Sequence, residues 1–195
     1  MVCQHFLLSV GHLFVSTKTP WISYPEIWKT KSAYLSWIRG GIRRSLWNRH
    51  PIKIAVLNEQ RYKIPNPNPR GKVPMVWGAK CYMCLGEFVL KEIEVDHLTG
   101  NHSLTDLSDI QSFIEGIVLV EKEELGLICK PCHKCKSLSE KQGISFKEAL
   151  QEKEIIAIMK AKQDKEWLAA RKVKPASNAS ARRKQIKQLM EVRDG

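Results

Sequence analysis

The chain has 195 residues, room for one full domain or for one small domain with arms. Apolar residues make up 43%, enough for a core and too few for a membrane protein, while 32 Lys and Arg against 20 Asp and Glu leave a net charge of +12. An excess of that size favours a polyanionic partner, nucleic acid above all, over a plain basic soluble protein.

Residues 1–27 read as an N-terminal extension. The apolar run at 6–15 is broken by Gly11 and His12, lacks a basic flank and a small-x-small cleavage site, and is too short to span a bilayer. The expected location is therefore cytoplasmic, where CxxC pairs point to metal or redox use rather than to disulfides. Cys3 is isolated and reads as a free thiol, and His5, His12 and His50 read as ordinary residues.

Residues 28–57 hold seven Lys or Arg and no acid. Leu35, Ile38, Ile42 and Leu46 recur at spacings of 3, 4 and 4, which predicts an amphipathic helix. Thr30 is a candidate cap and Pro51 a boundary, with Gly40-Gly41 costing roughly 1 kcal/mol per glycine and inviting a kink. Arg39, Arg43 and Arg44, interleaved with Trp37 and Trp47, are expected to contact phosphates. Residues 58–79 carry Pro65, Pro67, Pro69 and Pro74 and read as extended chain, a linker or an arm.

Residues 80–142 hold the metal-type side chains. Beyond them, Ser145 and Glu148 form a capping-box pattern that opens a helical stretch to about Lys165, with Leu150, Ile155, Ile158 and Met159 among its apolar positions; the segment as a whole is taken as 143–171. Residues 172–195 are acid-free from Lys172 to Met190. Ser177 or Asn178 could cap a basic helix bearing Arg182, Arg183, Lys184 and Lys187, expected to face DNA; a disordered tail is the rival reading. No internal repeat is visible.

Two groupings of the central ligands compete. Cys81-x2-Cys84-x12-His97-x4-His102 has the spacing of a two-Cys-two-His finger, with Phe88 at its aromatic position. Against it, Thr99-Gly100-Asn101 interrupts the helix a finger needs, Glu92 to Asp96 alternate as a strand does, and Glu94 stands where a finger has leucine. The other grouping joins Cys81 and Cys84 to Cys129 and Cys132, two CxxC knuckles that would close a structural zinc site; Cys135 is then a spare thiol. It leaves Asp96, His97 and His133 for other work. A carboxylate and two imidazoles suit metal-assisted phosphodiester cleavage, one imidazole deprotonating water while the other and the carboxylate hold a divalent ion.

The pieces "CYMC" at 81–84, "EVDH" at 94–97 and "LGLICKPCHKCKS" at 125–137, with His133 and Lys136 in a CHxxK[ST] ending, resemble the HNH endonucleases, in particular their phage-encoded, homing-type branch braced by four cysteines. The resemblance covers about 65 central residues; the basic "SAYLSWIRGGIRRSLW" and "PASNASARRKQ" are less specifically similar to the flanking DNA-contacting parts of phage members. It implies an α+β fold: a small ββα-metal core with structural zinc, flanked by basic helical segments at both ends. It further implies His97 as general base, Asp96 and His133 as ligands of a catalytic Mg2+ or Mn2+, Cys81, Cys84, Cys129 and Cys132 as ligands of a structural Zn2+, and double-stranded DNA as partner, with no membrane and no small-molecule cofactor. The host cytoplasm would be the site of action of a phage-encoded member. The family's middle asparagine slot is filled by Glu124, which when ionised accepts but does not donate; Glu124 is then an altered brace or a metal ligand, and Asn101 a substitute. His102 reads as a loop residue or DNA contact. The alternative function is a non-catalytic zinc-stabilised DNA-binding protein. A redox CxxC protein is disfavoured by the lack of a βαβ context.

Overall fold

The computed structural model describes residues 18–100 and 103–193. The expectations for Cys3, His5, His12, Asn101 and His102 lie outside the described residues. The chain forms two compact units, one from the described parts of 1–58 and 99–125, the other from those of 59–98 and 126–195.

In the first unit, a short helix α1 (Pro20–Ser23) precedes α2 (Lys31–Ser45). Thr30 caps α2 as its sequence predicts, its hydroxyl accepting from the Ala33 N–H at 3.1 Å. The helix runs through Gly40-Gly41 without a break. Leu35, with Ile38 and Ile42 beside it, packs on Phe113 and Ile117 of α4 (Ile110–Val118) and on Leu104. Leu46, the fourth expected core position, is exposed because α2 stops at Ser45. Pro51 does more than bound α2: it opens α3 (Pro51–Gln60), where a missing N–H costs nothing. The entry to α4 is fixed by Asp109, whose carboxylate accepts from the Thr105 hydroxyl and from the N–H groups of Thr105 and Asp106.

In the second unit, the proline-rich segment is not a linker. It folds as the hairpin β1 (Tyr62–Pro65) and β2 (Met75–Lys80), extended by β3 (Glu87–Val89) into an antiparallel sheet of order β1-β2-β3. The prolines sit at a strand end and in the loop, where no ladder N–H is needed. Gly78 admits Ile64: a Cβ there would lie 2.4 Å from the Ile64 Cδ1.

The alternating "IEVDH" forms β4 (Ile93–His97), burying Ile93 and Val95. It pairs with β5 (Leu125–Cys129), every residue of which is buried. β5 runs directly into α5 (Lys130–Gln142), which ends on Gly143 at φ +63°, a left-handed cap that glycine adopts without strain. The Ser145 and Glu148 box opens α6 (Phe146–Lys160) as expected, with reciprocal bonds of 3.2 and 2.7 Å. The helix stops at Lys160, short of the expected Lys165, and α7 (Asp164–Ala169) follows. Asn178 caps α8 (Ala179–Arg193), which is ordered because Ile186 and Met190 join Ile155, Ile158 and Leu168 in one apolar cluster. Leu150 stays outside that cluster and is exposed; Ala149 takes the inward place. The architecture is thus mixed α+β with small sheets. Among the described residues no helix is long and apolar enough to cross a membrane.

Candidate functional site

The four knuckle cysteines converge. The sulfurs of Cys81, Cys84, Cys129 and Cys132 all lie within 4.8 Å of one another, Cys84 and Cys129 at 3.9 Å. Four thiolates around one zinc at about 2.3 Å stand about 3.8 Å apart, so the donor set and its spacing are compatible with that ion. The local chain dictates the shape. The Cys81 N–H donates to Gly86 and its carbonyl accepts from Leu85, which takes φ 60° to turn the knuckle. The Tyr82 N–H donates to Leu127, tying the first knuckle to β5. Cys129 closes β5 and Cys132 lies in the first turn of α5, after Pro131.

The thiols do not share one acidity. Burial works to raise Cys81, but backbone hydrogen bonds from Cys129, Cys84 and Met83 outweigh it and bring the thiol down to about 7. Burial pushes Cys129 up, and burial together with the neighbouring thiols pushes Cys132 up. Four crowded sulfurs call for a cation among them. Cys135 is buried, its thiol raised by that burial, and it stands outside this quartet, as does the finger-like partner His97. Cys81 and Cys84 group with the second knuckle and not with His97.

One residue past Cys132, a second cluster forms between β4 and α5. The His133 Nδ1 lies 2.5 Å from Glu94, and its Nε2 lies 3.5 Å from the Asp96 Oδ1. The other Asp96 oxygen is 3.0 Å from the Lys136 ammonium, which also reaches Glu140 at 2.6 Å. Burial opposes the charge on Lys136, yet its contacts with Glu140 and Asp96 hold its pKa above the usual lysine value. Asp96 and Lys136 are largely shielded, their side chains 16% and 11% exposed.

Asp96 and His133 are therefore brought together as expected. His97 closes β4 with a buried Nε2. Glu94 belongs to the cluster and was not singled out by the sequence, although residues 94 and 96 share a strand face by the same alternation. Glu124 accepts the Glu121 N–H at 2.9 Å in a local capping turn.

The basic residues divide. Arg43 and Arg44 are exposed on α2, whereas Arg39 donates to the Leu104 carbonyl at 3.2 Å. With Ser36, Gly40 and Ser103, Arg39 and Arg43 line an open hollow of about 350 Å³. Arg182 does not face outward: it is ion-paired with buried Asp164 and donates to the carbonyls of Ala176 and Ser177. Its guanidinium clamps α7 to α8. Arg183 pairs with Glu152, while Lys184 is exposed. Comparison with family models, with curated proteins and with solved structures returns no match for this chain.

Proposed function

We propose that the protein is a metal-dependent DNA endonuclease of the HNH type. The observation that carries this reading is the facing pair Asp96 Oδ1 and His133 Nε2, 3.5 Å apart, one residue beyond a four-cysteine site. In this reading the His133 Nδ1–H is donated to Glu94, 2.5 Å away, and the lone pair of Nε2 points at a carboxylate oxygen. Two electron-rich atoms that face each other accommodate a cation between them. Ligands about 2.1 Å from one ion can span the observed gap, so the residues fit Mg2+ or Mn2+.

In this reading the chain does the following. Glu94 orients His133, and Lys136 holds Asp96 in place. His97 takes a proton from water, whose oxygen attacks phosphorus; the P–O3′ bond breaks and the 3′ oxygen leaves with a proton from solvent. A divalent ion, when bound, supplies charge stabilisation at the phosphate and at the leaving oxygen. Exposed Arg43, Arg44 and Lys184 attract the duplex. The test is plasmid nicking in Mg2+ or Mn2+ by the zinc-loaded protein, expected to be lost in His97→Ala and in His133→Ala. Cleavage unchanged in His97→Ala would remove that residue as the base.

One feature favours a second reading. Lys136 already neutralises Asp96, and Glu94 already engages His133, so the cluster is held together without an ion. A non-catalytic zinc-stabilised DNA-binding protein would then bind duplex DNA and leave it intact under every metal condition.

A further inference from the structure

The hairpin β1–β2 has two unlike faces. On one, Ile64 is buried over Gly78. On the other, the register sets Lys63 opposite Trp77 and Pro65 opposite Met75. Trp77 is 44% exposed and Met75 43% exposed, so this second face is open to solvent. Two cations are carried on the Trp77 ring: the Lys63 ammonium lies 4.4 Å from its centre and the Arg61 guanidinium 4.6 Å.

The hairpin's own charge is one-sided, with the nearest acids, Glu87 beside Tyr62 and Glu92 in the hollow that Trp77 lines, supplied from outside it. From Gln60 to Gly86 there is no acid, while Arg61, Lys63, Arg70, Lys72 and Lys80 are all basic. Arg70 and Lys72 sit exposed in the loop that joins the strands. That loop is braced from within. Asn66 donates from its side chain to Val73 at 2.8 Å and accepts from the Asn68 N–H at 3.0 Å, and the Asn68 side chain accepts from the Arg70 N–H at 3.1 Å. Gly71 is required there, since a Cβ would fall 2.2 Å from the Asn66 amide nitrogen. The cations are thus held by a ring and by a fixed loop rather than left to wander, which lowers the ordering cost of meeting a charged partner.

We infer that this open face is a second DNA-binding surface, a basic β-ribbon whose Arg61 and Lys63, propped on Trp77, grip the sugar-phosphate backbone of duplex DNA. Charge complementarity selects a polyanion, and the end of the hairpin beyond β3, where 63–65 pair with 75–77, is a two-stranded ribbon of the width that the major groove admits. The inference rests on the endonuclease reading only for its choice of DNA as the polyanion.

The experiment measures binding, not cleavage. The zinc-loaded full chain is titrated into a fluorescently labelled 30-base-pair duplex, without Mg2+ or Mn2+, over a series of salt concentrations. Arg61→Gln with Lys63→Gln is compared with a charge-matched control, Lys160→Gln with Lys165→Gln, two exposed cations on other elements. Each lost phosphate contact flattens the slope of log K against log salt by about 0.9. The hairpin variant is expected to flatten it by about 1.8 and to weaken binding at 0.1 M salt by roughly 10- to 60-fold, with the control near wild type. Equal behaviour of the two variants overturns the inference and shows only a net-charge effect. A readout on the unmodified protein guards against misfolding of the variant: Lys63 should be shielded from acetylation by duplex DNA and Lys160 should not. Acetylation of Lys63 at the same rate with and without DNA also overturns it. Loss of nicking with these binding results intact would count against the endonuclease reading alone.

Discussion

His133 and Asp96 face each other across 3.5 Å, His133 Nε2 to Asp96 Oδ1, while the other nitrogen of the same ring lies 2.5 Å from Glu94. On the endonuclease reading, the carboxylate of Glu94 takes the Nδ1 proton of His133 and leaves Nε2 to present a lone pair. Everything proposed for the cluster depends on that division.

Glu94→Gln is accordingly expected to weaken Mn2+ binding by about 10- to 100-fold. Mn2+ affinity measured by electron paramagnetic resonance on zinc-loaded protein checks this. The urea midpoint should barely move, because Glu94 is 42% exposed at its side chain. An unchanged Mn2+ affinity would remove Glu94 from its positioning role.

The four-cysteine site is expected to hold one zinc per chain, measurable by atomic absorption. Its loss should lower stability on the order of 10 kcal/mol, since in a closed thiolate site binding energy is folding energy. Cys129→Ser should lose both the zinc and the cooperative thermal transition. Because the ligands must be thiolates, zinc should be released on acidification, and the cooperative fold should be lost with it. A chain with no stoichiometric zinc and an unshifted melting curve would sink the assignment.

Asp164 predicts a pH dependence of a different origin. The Arg182 guanidinium beside it holds its carboxyl below the ordinary value of 3.8. A depressed carboxylate contributes stability that is fully present above its unfolded pKa and fades as pH falls through its folded one. Asp164→Asn should therefore cost about 3 kcal/mol at pH 7 by urea unfolding, since it strands a shielded guanidinium, and the gap from wild type should narrow only below pH 3.8. Arg182→Gln should behave likewise and leave the salt dependence of DNA binding unchanged. A flattened salt slope in Arg182→Gln would return this residue to the DNA surface.

Phe113→Ala in α4 should cost about 3–5 kcal/mol in the first unit, where its ring is buried against Leu35 and Ile117. Thermal unfolding followed by near-ultraviolet circular dichroism reports it. A loss under 1 kcal/mol would mean that this core is not packed as described.

What the sequence discloses and what it hides follow from one distinction. Signals confined to a few neighbouring residues are legible: the Thr30 and Asn178 caps, the Ser145–Glu148 box and the alternation of Ile93, Glu94, Val95 each name a local bond or a strand face. The pairing of the two CxxC motifs is legible because two such spacings rarely coincide. Features set by distant partners are not. Four prolines in 65–74 suggest an unpaired arm, yet β1 and β2 pair around them, because only Pro65 lies in the ladder, at its last position, and the other three sit in the loop. Arg182 reads as one more cation of a basic tail; only folding brings Asp164 to it across 18 positions. Glu94 stays hidden for the same reason, since its partner His133 is 39 residues away. Leu150 looks like core until α8 chooses the other side of α6.

A single peptide bond separates Cys132 from His133 in the first turn of α5. The sulfur belongs to the quartet that braces the fold and the imidazole to the cluster beside Asp96. A nascent chain that has yet to acquire its zinc has no anchored helix start, hence no fixed address for that imidazole. On the endonuclease reading, metallation then works as an interlock, and maturation precedes reactivity: an immature copy lying on DNA is harmless to it.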